Sequence, residues 1–474
     1  MTETLTVREL PEVLRRPHLI GIGGAGMSGI ARILLARGAQ VSGSDAKDSR
    51  AFLTLRAQGA RIEVGQRAEN LDVFDGGPSA VIVSTAIKET NPELAAARER
   101  DVPVLHRAEA LAALMEGHRV ACIAGTHGKT STTSMLTVAL QHCRLDPSFA
   151  IGGDLNESGA NAHHGEGGIF VAEADESDGS FLSYTPSVAV VTNVEPDHLD
   201  HHGTADAYHA VFSEFVRRID PDGVLVVCAD DAAAAELATY AEGIGVRVRR
   251  YGRSATGEAD ARVLDYGPSE DGGTVRVVLG GEELRVRVAV PGEHMAFNAV
   301  GALLAGLELG ADPAVLIEGL AAFGGVRRRF EYKGRSADVR VYDDYAHHPT
   351  EVEAQLRAVR QTAGNGRVVV VFQPHLYSRT KAFATEFAEA LGLADEVVVL
   401  DVYGAREEPE PGVTGELVAS RISGAGVHYE PAFDRVVHLV ADLVKPGDLV
   451  VTMGAGDVTQ LGPEVLAELD RRDR

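Results

Sequence analysis

Short runs of β-branched residues recur along this chain, each followed by a turn and then a helical pattern, and that alternation dictates parallel sheets with crossover helices. The pattern opens with "HLIGIG", "MSGIARILLARG" and "AQVSGSD" and continues through "SAVIVSTA" and "VPVLH". Near residue 117 it restarts in "MEGHRVACIAGTHGKTSTTSMLTVALQH", with further strands in "GGIFVAEADESD", "SVAVVTNVEPDH" and "GVLVVCADD". A third start at "VRVYDDYAHHPTEV" leads to "RVVVVFQ", "EVVVLDVY" and "DLVVTMG". A chain of 474 residues exceeds one ordinary hydrophobic core. The expected class is therefore α/β, with three domains over residues 1–117, 118–325 and 326–474, each a mainly parallel doubly wound sheet. From about Val248 to Val290 the text alternates, as in "TVRVVLGGEELRVRVAV", which predicts a small antiparallel appendage with a hairpin turn at Gly280 and Gly281.

Composition narrows the partners. With 45 basic and 69 acidic side chains the net charge is −24, which repels a polyphosphate backbone and argues against nucleic acid. No stretch approaches the roughly 18 apolar residues of a membrane span. The start, "MTETLTVRELPEVLRRPHLIGIGG", mixes acids and bases without an apolar core and cleavage site, so no signal peptide and a cytoplasmic location are expected. Cys122, Cys143 and Cys228 are odd in number and far apart, unlike a disulfide framework or a CxxC site. "DHLDHHG" and "NAHHGEGG" lack the partner spacing of a zinc site.

"AGTHGKTST" sits between a strand and a helix, where backbone amides and the helix dipole favour an anion, making the central domain a P-loop-type ATPase candidate. The pattern lacks its usual first glycine, a position held by Ile123, but Gly125 and Gly128 still allow close backbone approach. Lys129 supplies a mobile cation and Thr130 a hydroxyl suited to magnesium. The next strand ends in Glu173, Asp175, Glu176 and Asp178, and the one after it in Asp197 and His198; strand ends of this kind converge on one crevice in an open α/β sheet. At the N-terminus, Gly21, Gly23 and Gly26 form G-x-G-x-x-G with Asp45 closing the next strand, a diphosphate site that suits a nicotinamide dinucleotide or a UDP-sugar. A separate triphosphate loop favours a ligase acting on a nucleotide-linked substrate.

Taken in order, "GIGGAGMSGIA", "AGTHGKTST", "EADESD", "TNVEPDH", "RRRF", "DDYAHHPTEV", "FQPHLYSRT" and "GAGD" resemble the Mur ligase family of peptidoglycan synthesis nearly end to end, and within it the branch that adds the first amino acid. The resemblance implies ATP-dependent joining of L-alanine to the lactyl carboxylate of UDP-N-acetylmuramate through an acyl phosphate, with Mg2+, in a monomer or homodimer. It implies a UDP-substrate domain, an ATPase domain and a Rossmann-like C-terminal domain that closes over the reaction centre. By resemblance, Gly21, Gly23, Gly26, Asp45, Ser84 and Asn193 take the UDP substrate; Gly125, Thr126, His127, Gly128, Lys129, Thr130, Asn298, Arg329 and Asp344 take ATP; Thr130, Glu173 and His198 take the metal. Tyr345, His347, His348, His375 and Arg379 surround the amino acid, and Lys129, Glu173, His198, Arg329, His347 and His348 carry the chemistry. Two positions depart from the family pattern: Leu376 stands where many relatives have arginine, and Met295 where they often have asparagine. No lysine occurs from His201 to Arg218, so the metal site is expected without the carbamylated lysine of later Mur ligases.

Overall fold

The structure, a computed structural model, describes residues 9–156, 158–269, 271–405 and 407–473. Its first sheet comprises β1 (Pro17–Ile20), β2 (Ser42–Asp45), β3 (Arg61–Val64), β4 (Ala80–Val83) and β5 (Val104–His106), ordered β3-β2-β1-β4-β5. Every pairing in it is parallel. The chain winds outward from β1 in one direction and from β4 in the other, so a crevice opens beyond the carboxyl ends of these two strands.

The second sheet takes β6 (Arg119–Ala124), β7 (Ser148–Ala150), β8 (Ala162–His163), β9 (Ile169–Glu173), β10 (Val188–Val191), β11 (Val224–Cys228), β12 (Arg247–Gly252), β13 (Ala261–Ser269), β14 (Gly272–Leu279) and β15 (Glu282–Val288). Their order is β15-β14-β13-β12-β11-β10-β6-β9-β7-β8. β6 lies between β9 and β10, parallel to both. The segment from Val248, expected as antiparallel, departs from that reading at its start: β12 pairs in parallel with β11, and β13 with β12. The helix Ala232–Gly243 is the crossover that makes the first of these pairings parallel, and the polar start of β12 reflects its partial exposure from Arg247 to Arg250. The hairpin itself is where the glycines placed it, because Gly280 and Gly281 join β14 to β15 with φ of 60° and 83°, as a two-residue primed turn requires.

In the third sheet β16 (Glu331–Ser336), β17 (Val339–Asp344), β18 (Val368–Phe372), β19 (Glu396–Val399), β20 (Gly426–Tyr429) and β21 (Leu449–Met453) follow the order β16-β17-β21-β18-β19-β20. Only the β16–β17 pair is antiparallel. The valine run of β18 explains its central place: Val368, Val370 and Phe372 enter one core and Val369 and Val371 the other, so a strand buried on both faces reads as continuously apolar.

The chain divides into two compact units. One holds residues 1–264, 276–286 and 298–323; the other holds 265–275, 287–297 and 324–474. The first has its own apolar core, in which Phe181 stacks on Phe215 at 4.6 Å, and the second is built around the two faces of β18. Among the described residues no helix is long and apolar enough to cross a membrane.

Candidate active site

The turn after β1 shows why glycine recurs there. Gly21 has φ 75°, and its amide and that of Ile22 donate to the Ser44 carbonyl at 2.8 and 3.0 Å. The Gly23 amide donates to Asp45 Oδ2 at 2.8 Å, and a Cβ on Gly23 would stand 2.9 Å from that oxygen. Asp45 at the end of β2 is thus held against the loop, while Ser84 follows β4 across the crevice. The helix Ala25–Ala36 starts at Gly24 without a side-chain cap.

One sheet further, β6 runs into Gly125, with φ 125°, and Gly128, with φ 81°, which caps the buried helix Lys129–His142. Gly125 is packed so closely that a Cβ would fall 2.1 Å from Thr192 Oγ1. Asn193, expected at the UDP substrate, engages this loop: its Oδ1 accepts from the His127 amide at 2.9 Å and its Nδ2 donates to the His127 carbonyl at 3.0 Å. Asn298, on the helix Glu293–Glu308, reaches the same loop, its Oδ1 lying 2.8 Å from where a Gly128 Cβ would be. Thr126 Oγ1 shares a 2.8 Å hydrogen bond with the buried Tyr208 hydroxyl, and His127 Nε2 lies 3.0 Å from Glu195 Oε2.

Lys129 Nζ donates to the carbonyls of Gly125 and Thr126 at 2.7 and 3.0 Å and to Glu176 Oε1 at 2.9 Å. Burial opposes its charge, but Glu176, Asp175 and Glu173 together outweigh that and raise its pKa. Glu176 is itself wholly buried, and desolvation pushes its carboxyl up to about 7 despite the lysine. Asp175 goes the other way: desolvation is outweighed by Lys129 and Arg107, and its carboxyl falls to about 2. The cluster therefore keeps a cation charged at the loop. Thr130 Oγ1 donates to Glu173 Oε1 at 2.9 Å, and Glu173 Oε2 accepts from the Gly152 amide at 2.7 Å. A hydroxyl and a carboxylate meeting beside further acids form an all-oxygen set suited to a hard cation. His198 lies on the loop after β10 in a left-handed conformation, φ 52°, with its amide on Asp197 Oδ1 at 2.7 Å.

In the second unit, Asp344 ends β17 and is buried; its two oxygens accept from the amides of Phe330 and Ala346, both at 2.7 Å. Desolvation raises its carboxyl to about 6 against the pull of Arg329. The Arg329 guanidinium lies 5.2 Å from the Tyr345 ring centre. Tyr345 meets His347 edge-on at 5.2 Å, His347 meets His375 at 5.9 Å, and Arg379 Nη1 approaches His375 Nδ1 at 3.5 Å. Five of the expected residues thus form one connected cluster. His348 instead packs edge-on against Phe383 at 5.0 Å. Leu376 is buried at φ 70°. Tyr403, absent from the sequence reading, stacks on His375 at 5.8 Å. Glu176, read from the sequence as one of the strand-end acids, reaches Lys129 from 47 residues away in the chain; Tyr208 was not assigned a role, and no local motif marks it, since it reaches the loop from 82 residues away.

A phosphate loop on a parallel sheet is the site of a nucleotide-binding enzyme, and the family models and near-full-length relatives make this one an ATP-dependent amide-forming ligase: the chain belongs to the Mur ligase family. Family models match as "Mur ligase family, catalytic domain" over residues 16–119, "Mur ligase middle domain" over 123–306 and "Mur ligase, glutamate ligase domain" over 328–456. Among individual relatives, a UDP-N-acetylmuramate–L-alanine ligase of Saccharopolyspora erythraea is 73% identical over 465 residues, covering 98% of this chain and 95% of that one. One from Mycobacterium sp. (strain JLS) is 58% identical over 98% of this chain and 97% of its own. The crystal structure of the UDP-N-acetylmuramate–alanine ligase of Thermotoga maritima superposes with a TM-score of 0.80 at 28% identity, covering 97% of this chain and 100% of that chain. A murein peptide ligase of Psychrobacter arcticus follows at 0.70 and 25%, covering 96% and 98%.

Proposed function

We propose that the protein is a cytoplasmic enzyme that joins L-alanine to the lactyl carboxylate of UDP-N-acetylmuramate, converting ATP to ADP and phosphate, in peptidoglycan precursor synthesis. The observation that carries this reading is the loop from Gly125 to Thr130, with Lys129 held charged among carboxylates, in a chain similar over nearly its whole length to ligases of that name.

A carboxylate does not yield to an amine directly, because oxide is too basic to leave. The lactyl carboxylate therefore attacks the γ-phosphorus of ATP, ADP departs, and the acyl phosphate that results carries a competent leaving group. Lys129 moves from Glu176 to the transferring phosphoryl group, where a preorganised cation offsets developing charge. Thr130 and Glu173, with His198, would hold magnesium, which supplies further charge neutralisation on the phosphates when bound. Arg329, Asp344 and Asn298 are assigned to ATP, and Tyr345, His375 and Arg379 to alanine.

Alanine attacks as the free amine, so its ammonium proton must be taken up. His347 fits this task better than His348: its Nδ1 faces the Tyr345 carbonyl at 3.0 Å and Glu351 Oε2 at 3.2 Å. Both neighbours accept, so Nδ1 carries the hydrogen and Nε2 keeps the lone pair. The tetrahedral adduct then expels phosphate and leaves the amide.

Phosphate release from ATP with UDP-N-acetylmuramate, comparing L-alanine, glycine, L-serine and no amino acid, tests the reading. L-Alanine should give the fastest release, Lys129→Met should lower it by roughly 100-fold or more, and His347→Gln should lower kcat by roughly 100-fold. Release that ignores the sugar nucleotide would sink the assignment.

A further inference from the structure

One ion pair in the first unit ties the glycine turn after β1 to the acidic loop after β9. Arg107 opens the helix Arg107–Met115. Its Nη2 donates to Asp175 Oδ2 at 3.0 Å and lies 3.9 Å from Asp178 Oδ2. Its Nη1 points the other way and sits 2.7 Å from the position a Cβ on Gly26 would occupy. Gly26 is not among the glycines with positive φ. Backbone freedom is thus not what glycine supplies there; it leaves room for a guanidinium over the first turn of the helix Ala25–Ala36. Only 26% of the Arg107 side chain is exposed. Burial works against its charge, yet Asp175 and Asp178 outweigh burial and keep it cationic. Arginine's planar fork holds its donors in fixed directions and can serve two anions from different edges, a geometry that a lysine's compact ammonium does not preorganise.

We propose that Arg107 binds the diphosphate of the UDP-sugar acid at Gly26 through its Nη1 edge, while Asp175 and Asp178 fix the other edge. One side chain then joins the sugar-nucleotide site to the loop that neighbours Lys129. The assignment rests on the reading that the first sheet takes the UDP substrate.

Calorimetric titration of the full chain with UDP, uridine and UDP-N-acetylmuramate separates the possibilities. Wild-type protein should bind UDP more tightly than uridine. Arg107→Met should bind UDP roughly ten- to a hundredfold more weakly, the size of a lost charge-assisted contact, with uridine unchanged. Gly26→Ala, which keeps every charge but displaces the guanidinium, should show the same pattern and raise KM for UDP-N-acetylmuramate more than it lowers kcat. UDP affinity undiminished in Arg107→Met overturns the proposal. So does a parallel loss of UDP and uridine, which would make Arg107 a purely architectural residue. Failure of the wild-type protein to bind UDP would instead overturn the substrate reading on which the proposal rests.

Discussion

At the scale of single residues, burial and charge disagree most informatively at Asp344. Its carboxyl stands at about 6 against an ordinary 3.8, because desolvation exceeds the help from Arg329 and two amides. A folded-state pKa above the unfolded one means that the folded protein holds the proton more tightly. The stabilisation is complete below the unfolded value and is lost as pH rises through about 6. Between pH 4 and 7 the wild-type protein should therefore lose on the order of 2–3 kcal/mol relative to Asp344→Asn, whose own loss of an acceptor does not vary with pH. Urea midpoints of both proteins across that range, at fixed ionic strength, measure the difference; parallel pH profiles would contradict it. Residues of this kind were legible in the sequence where a motif fixes them locally, as with Gly23 and Asp45 or Thr130 and its loop. Arg107, Tyr208 and Tyr403 were not, because each acts through a partner that only the tertiary fold brings near.

Among the elements, the turn between β6 and the helix Lys129–His142 is the most constrained. Gly125 combines a φ of 125° with the end of β10 only 3.0 Å from any Cβ it might carry, measured to the Thr192 amide nitrogen and the Asn193 carbonyl oxygen. Gly125→Ala should lower stability by about 1–3 kcal/mol through strain alone and reduce turnover by roughly 100-fold, since the displaced amides no longer meet phosphate. Thermal melting and phosphate release on the purified variant check both parts, and a variant near wild type in each would refute them. Parallel strands were readable because burial on both faces leaves an uninterrupted apolar run, as in β18. The edge strand β16, "EYKGRS", was missed for the converse reason: half exposed and polar, it carries no such run. The parallel pairing of β12 was masked by the same partial exposure.

For the molecule as a whole, the two compact units have separate apolar cores, and separate cores support separate cooperative transitions. Scanning calorimetry should give a van't Hoff enthalpy below the calorimetric one, and a nonhydrolysable ATP analogue should raise the transition of the unit that carries Gly125–Thr130. A single two-state peak, shifted as one by the analogue, would show the units to be energetically fused. The three-sheet α/β architecture was visible in the sequence because its signal is the order of elements; the two-unit division was not, because it depends on which segments pack together across the chain. That division has a practical result. The polypeptide passes from one unit to the other after residues 264, 275, 286, 297 and 323, so no single cut releases either half intact. A fragment ending at 323 would carry away two pieces of the other unit's fabric, and studying the halves apart requires circular permutation or grafted loops, not truncation.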